Sequence, residues 1–525
     1  MRRPDRSPRT RETPVTARLL LPALLLAAPL ACGRPEEVRP AREAAAQRDP
    51  EEAGKARGAE RAARAQEERR AQILDERLTM EDQPGRTVPL VRSDSLPEGA
   101  PHLVALVVLD TLRADRTSLC GYTKPNTPVL NQLRELGAAT TCDAYSPATW
   151  TLPAHASYFT GEPTSAHGVH TLGTPLAPEF ETLAESYAAR GYQTLFISAN
   201  PVFNKAASGF WQGFDRVVIA KGLTGPLRSE SFARVVESEL ARLDPEKPVF
   251  LFVNIFDAHD PYPPVPEGLS WAKAMPRENL HPHTADPANP YYAFVTGAMK
   301  PEDQPGYLDR IQNSYDHAIL VADRNLGALV RLLKQDKWLR RPHRVVITSD
   351  HGEHLGEHGL LRHGSATWQT VTRIPFLVMD TTRESPHTLP AVLNATATHQ
   401  LLLHGTLPET PLLVESASAY NEDDFKPSWM TLSLWNSPID KIMVFDGKRW
   451  RFDLEKDPME SNPLPLPDEH PLAPTMAERL AAHEASIAKA LAEGPNAELM
   501  EMLKEVGYVQ DDGKVEAPEE AGPTP

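Results

Sequence analysis

Cysteine is scarce in this chain: Cys32, Cys120 and Cys142 are the three among 525 residues. So few thiols do not make a disulfide framework, and at least one of them has another task. Positive charge is also short, with 55 Lys and Arg against 71 Asp and Glu and a formal net charge of −16. That balance argues against a general polyanion binder, because counterion release needs clustered cations, and no nucleic-acid partner is expected. A local cationic pocket is not excluded. No sequence repeat is visible. Long apolar runs are confined to LLLPALLLAAPLAC from Leu19, which is too short to span a membrane comfortably. What remains is ordinary for a globular protein, 41% hydrophobic and 24% charged, in a chain long enough for one large α/β domain with appendages or for two or three smaller domains.

The apolar run has a specific context. It follows Arg2, Arg3, Arg6, Arg9, Arg11 and Arg18 and ends in small residues, the order of a secretory signal. Its end, APLACG, resembles a bacterial lipoprotein signal, with Cys32 as the lipidated first residue of the mature chain. Pro29 and Leu30 depart from the usual box, and a plain cleaved signal peptide is the alternative. Residues 1–32 are therefore expected to be a signal peptide of lipoprotein type. Export to the bacterial cell envelope follows, either membrane-anchored or periplasmic. Residues 33–100 begin rich in Glu, Ala and Arg with almost no aromatics, and cannot bury much apolar surface. They read as a charged helical or disordered linker, able to tether a catalytic domain to a membrane.

From His102 the texture changes. LVALVVLD (103–110), TLFISAN (194–200), VFLFVNIFD (249–257) and HRVVITSD (343–350) are short, apolar and rich in β-branched or aromatic residues, as strands buried on both faces are. Residues 126–137, 178–191, 231–243 and 313–335 between them have helical spacing. The alternation predicts an α/β fold with a doubly wound, mostly parallel sheet flanked by helices over 101–400. Beyond it, 401–510 reads as a C-terminal subdomain: a small antiparallel sheet with a hairpin at Asp446-Gly447, then a helix over about 474–505. The acidic tail 511–525 reads as disordered. The stretch 263–308, dense in Pro and aromatics, is expected to wall the site or to be a surface excursion without substrate contact.

The four strands end in Asp110, Asn200, Asp257 and Asp350. In open α/β sheets ligands bind at the carboxyl ends of strands, so these polar ends define a candidate site; Asx residues also simply start turns. The loop SDHGEHLGEHGLLRHG (349–364) crowds His and Glu around Asp350. Its segment HLGEH matches the H-x-x-E-H zinc signature, but that needs one continuous helix, which Gly352, Gly356 and Gly359 oppose. The alternative takes Asp350 and His351 as ligands for Zn²⁺ or Mn²⁺, with Asp110 as a third, leaving an open position. A hydrogen-bonded Asp and His at a turn is the bland reading. In YSPATWTLPAHASYFTG (145–161), Pro153 suits a first helical turn and Thr151 sits at the helix start. Thr151 is either an N-cap or a hydroxyl poised to attack a tetrahedral phosphorus or sulfur centre.

Seven blocks taken together carry a family resemblance: VVLDTLRADRTSLCGY, TPVLNQLRELG, YSPATWTLPAHASYFTG, FDAHDPYPP, YDHAILVADRNLG, ITSDHGEHLGEHG and RFDLEKDPMESNPL. In this order, over about 102–465, they resemble the sulfatase family of the alkaline-phosphatase superfamily, and LKEVGYV (503–509) is similar too. The resemblance implies an alkaline-phosphatase-like fold and metal-dependent hydrolysis of sulfate or phosphate esters. The chain departs from that family where it matters. Counting back from Thr160-Gly161 puts Thr151 at the family's Cys, which is oxidised to formylglycine; threonine cannot become formylglycine. Thr111 stands at a second Asp, Asp350-His351 at Asp-Asn, and Ser198-Ala199-Asn200-Pro201 where a Lys segment grips sulfate. The set Asp110, Thr151, Asp350 and His351 is similar to the superfamily's phosphate-handling branches. It implies one divalent ion (Mn²⁺, Zn²⁺ or Ca²⁺), with Asp257 available for a second or for orienting His259. By the same resemblance His259 and His363 join Thr151 as catalytic residues, and His155 and Asn200 contact substrate. Phosphoryl-type chemistry through Thr151 on a small-molecule, glycan or lipid ester is the leading expectation. A sulfuric ester hydrolase proper and a non-catalytic binding protein are the alternatives.

Overall fold

A computed structural model describes residues 78–81, 99–171, 173–203, 208–220, 227–276, 289–335, 337–408, 412–417, 430–445, 447–494 and 496–497. The signal segment with Cys32, most of the expected linker, the end of the C-terminal helix and the acidic tail lie outside the described residues.

The apolar runs form the middle of a nine-stranded sheet. Across it lie Leu78–Glu81, Arg216–Ala220, Gln193–Ser198, Val249–Ile255, Leu103–Leu109, His343–Thr348, Arg373–Asp380, Ala139–Tyr145 and Leu393–Asn394. The five strands from Arg216–Ala220 to His343–Thr348 are parallel. Arg373–Asp380 runs antiparallel to both its neighbours, so the sheet is mixed but mostly parallel. Both faces are covered, which is why the strands read as unbroken apolar runs. In Leu103–Leu109, Val104, Leu106 and Val108 pack on one side with Phe196, Phe250 and Phe252. Leu103, Ala105, Val107 and Leu109 pack on the other with residues of the long helix Gln304–Gln335.

Register sets the site. Leu109 pairs with Ile255, and Val108 with both Asn254 and Thr348, so these strands end flush. The Asp110 amide then donates to the Ile255 carbonyl at 2.9 Å. Asp110 and Asp350 consequently stand at one level of the carboxyl edge, with Asn254 two residues below, its side chain reaching Asp110.

Several elements differ from the sequence expectation. The strands Ala139–Tyr145 and Arg373–Asp380 are additional. The first carries polar residues and is largely half-buried, so it lacks the apolar signature. Leu78–Glu81, within the expected linker, pairs antiparallel with Arg216–Ala220. The helix expected over 313–335 begins at Gln304, taking up the end of the expected wall segment. The helix expected over 178–191 is shortened to Leu183–Ala189, started by a Thr182–Glu185 capping box. Cys120 and Cys142 form a disulfide across 22 residues, a pairing not assigned from the sequence, and Cys32 is left outside it.

The C-terminal part forms a five-stranded antiparallel sheet over Leu413–Ala417, Met430–Ser437, Asp440–Phe445, Lys448–Asp453 and Leu464–Pro465. The helix Ala473–Glu493 packs on it through Met476. Among the described residues no helix is long and apolar enough to cross a membrane.

Candidate metal and nucleophile site

Each candidate ligand spends one polar atom on the protein and leaves another toward a common centre. Asp110 Oδ2 accepts from Asn200 Nδ2 and Asn254 Nδ2, both at 3.0 Å. Its Oδ1 is buried with no hydrogen-bond partner among the described residues. Asp350 Oδ1 accepts from the Thr111 amide at 3.1 Å and the His351 amide at 3.0 Å. Its Oδ2 is likewise buried without a hydrogen bond and faces His351 Nε2 at 3.2 Å. His351 Nδ1 lies 2.9 Å from the Gly352 carbonyl, which has no proton to give, so Nδ1–H donates. The Nε2 lone pair then points inward, the tautomer a metal ligand needs. Asp110, Asp350 and His351 each offer an atom within 4.8 Å of the others.

Two buried carboxylates held this close repel one another. Burial and the Asp350 charge push the Asp110 carboxyl up to about 7. Burial works to raise Asp350 too, but His351, with His155 and the Thr111 amide, outweighs it and holds that carboxyl low. Against the desolvation that lowers it, Asp350 and then Asp110 push His351 up to about 9. The carboxylates thus draw one positive charge into the pocket, either a proton on His351 or a cation that displaces it. Two unpartnered carboxylate oxygens and one imidazole lone pair suit a divalent cation, so the residues present fit the ion.

Thr151 lies beside this group. The helix Thr151–Thr160 has Trp150 at its N-cap, with no side-chain cap bond, so the expected capping role does not apply to Thr151. Its hydroxyl is 3.3 Å from His351 Nε2 and 3.5 Å from Asn200 Nδ2.

The remaining expected residues take varied positions. Asn200 is buried on Asp110 and Thr151 rather than open to solvent. His155 is also fully buried: Nδ1 donates to the Thr151 carbonyl at 2.8 Å, and the ring is boxed by Tyr158, Phe159, Phe203 and Phe252. It anchors the helix Thr151–Thr160 in the core instead of lining an open surface. Asp257 Oδ2 accepts from Asn325 Nδ2 at 2.6 Å, turning this carboxylate toward the long helix. Asp257 is outside the Asp110–Asp350–His351 group. His259 and His363 come together, ring centroids 5.0 Å apart, and His363 lies 4.3 Å from His351. The HLGEH segment forms a two-residue strand and a 3-10 turn, so the zinc-helix reading is absent from the fold.

Sequence reasoning missed Asn254, although a lone Asn in an apolar strand is a signal, since a buried amide must be paired. It also missed Arg113. This buried guanidinium donates to the Glu353 carbonyl at 2.8 Å, to Glu357 at 2.9 Å and to Asp115, clamping the ligand loop. Gly352 lets the clamp close, because a Cβ there would sit 2.2 Å from the Thr370 carbonyl oxygen and 2.8 Å from Arg113 Cγ.

The family model for sulfatases matches residues 102–412, more than half of the chain, and the protein belongs to that family of ester hydrolases. The fold is similar to that of the phosphonate monoester hydrolase of Agrobacterium radiobacter. The two are 18% identical, with a TM-score of 0.53, over 74% of this chain and 96% of that one. It is also similar to a protein solved with its substrate D-glucosamine-2-N,6-O-disulfate, at 16% identity and a TM-score of 0.52, over 75% of this chain and 99% of that one. At these identities the likeness concerns the fold, which is alkaline-phosphatase-like.

Proposed function

We propose that the protein is a metal-dependent hydrolase or transferase of phosphate- or phosphonate-type esters, with Thr151 as nucleophile. The observation carrying this reading is the convergence of the Thr151 hydroxyl, which cannot become formylglycine, on Asp110, Asp350 and His351. These four residues would hold one divalent ion, Mn²⁺, Zn²⁺ or Ca²⁺. Bound there, the ion supplies Lewis-acid charge that favours an alkoxide and attracts an anionic ester.

The rest falls to the chain. Asn200 and Asn254 hold Asp110, and Thr111 holds Asp350, so no ligand must reorganise when substrate arrives. The N-terminus of the helix Thr151–Thr160 adds partial positive charge where an anion would sit. Thr151 Oγ1 forms a bond to phosphorus as the bond to the leaving oxygen breaks. The proton lost by Thr151 is balanced by the one gained by the departing alcohol, and His259 and His363, whose rings lie together beside His351, are the groups proposed to pass it. Water then cleaves the phospho-threonine, returning the hydroxyl and releasing the acid. A sugar, lipid or other small ester suits the family's substrate range.

Thr151→Ala and Thr151→Ser would be compared with wild type on aryl phosphate, phosphodiester and sulfate esters with each metal. Thr151→Ala should lose at least ~10³-fold in turnover, and Ser should keep part. Mass spectrometry of the quenched enzyme should find phosphate on Thr151. Full turnover by Thr151→Ala would remove this nucleophile.

The same reading includes export and tethering through Cys32. The Cys120–Cys142 disulfide supports it, because such bonds persist in oxidising compartments.

A further inference from the structure

We propose that Glu353 is a positioning residue that sets the orientation and tautomer of His363, an inference that rests on the site reading above. Glu353 is completely buried, so it does not meet substrate itself. Its Oε1 lies 3.1 Å from His363 Nδ1. His363 is the more open of the pair, its side chain 16% exposed, with its ring against His351 and His259. With Nδ1 committed to Glu353, Nε2 is the nitrogen left to face an ester or its departing oxygen. A carboxylic group behind an imidazole fixes which nitrogen carries the proton, the arrangement that makes a histidine directional in acid–base work.

The backbone shows that this geometry is built rather than incidental. The Arg113 guanidinium holds the Glu353 carbonyl, and the Glu353 amide donates to the Thr370 carbonyl at 3.2 Å. The glycine before it is tolerated where no Cβ fits. Glu353 therefore follows His351 by two residues with little freedom to move. One loop carries both the metal ligand and the group that aims the second histidine. Arg362, next to His363, adopts φ 67°, and its guanidinium sits 4.7 Å from the Tyr291 ring centroid.

The test uses the full metal-loaded protein and two esters of one acid, a 4-nitrophenyl ester and an alkyl ester with a poor leaving group. Glu353→Gln should lower kcat on the alkyl ester by ~10²-fold and on the nitrophenyl ester by no more than ~10-fold, because an activated leaving group needs little proton assistance. His363→Gln should show the same split, and the double variant should be no worse than the poorer single. Glu353→Asp should recover part of the alkyl turnover. Equal losses on both esters, or additive losses in the double variant, would overturn the proposal.

A measurement independent of turnover is histidine-selective nitrogen NMR, with the His363 signals assigned by their absence in His363→Gln. Wild type should show a single tautomer, and Glu353→Leu a mixture or the opposite one; an unchanged tautomer sinks the idea. Thr151→Ala should lose both esters alike. A wild type inactive on both would count against the nucleophile, while the NMR result still decides the role of Glu353.

Discussion

Each candidate ligand at this centre is held by the protein through one atom and keeps another turned inward. Asp110 illustrates the principle: two amides crowd one oxygen so that the other stays turned inward. Asn254 is the better test of it, because Ser198 Oγ holds its own carbonyl oxygen at 3.1 Å and fixes the amide. Asn254→Ala should weaken Mn²⁺ or Zn²⁺ binding by ~10- to 100-fold in calorimetric titration. Asn254→Asp should be worse, since it sets a third carboxylate against Asp110. Unchanged affinity in both variants would mean that the amide is packing alone. Much of this scale was legible beforehand. Asp110, Asp350 and His351, which converge as a candidate ligand group, were readable because strand ends have strong local signatures. Asn254 and Glu353 were not, because their roles depend on partners 144 and 10 residues away in sequence.

Between elements, packing decides what local patterns leave open. The parallel strands were plain because burial on both faces makes an apolar run. Ala139–Tyr145 and Arg373–Asp380 were not foreseen, because a strand with polar residues is recognisable only beside its neighbour. The helix Ala473–Glu493 docks on the catalytic domain through histidines. His170 Nε2 meets Ser486 Oγ at 2.8 Å, and the His170 and His483 rings are 5.1 Å apart, both buried. Burial pushes His167 down to about 3 and His170 down to about 2, and lowers His483 too, against the opposing pull of Glu415 and Glu484. The unfolded chain protonates these imidazoles below about pH 6.5 while the folded chain resists. Stability should therefore be full above that pH and fall as the pH drops through 6 toward 3. The slope is about 1.4 kcal/mol per pH unit for each imidazole. Thermal unfolding from pH 7 to 4 should show the decline. His483→Phe, which keeps the packing and removes one titrating ring, should flatten it; an unaltered slope would exclude His483.

As a whole molecule, the protein combines an N-terminus proposed above to direct export with a sulfatase-family domain carrying a disulfide. Cys32→Ser should move it from the membrane fraction to the soluble fraction of a bacterial host, whereas Cys120→Ser should not. If both stay membrane-bound, the anchor is elsewhere. Cys120→Ser should instead cost ~2–4 kcal/mol of stability, read by denaturant unfolding, from the loop closure it removes. The amino-acid order alone determined the α/β class and the family, because alternating burial and flanking polar ends are written locally, and it singled out Asp110, Asp350 and His351 as candidate ligands. The tertiary structure decided which oxygen of each carboxylate is open, that Thr151 is not a cap, that His155 and Asn200 face inward, and that Glu353 stands behind His363. Those depend on strand register and on contacts between distant segments, which no local pattern encodes.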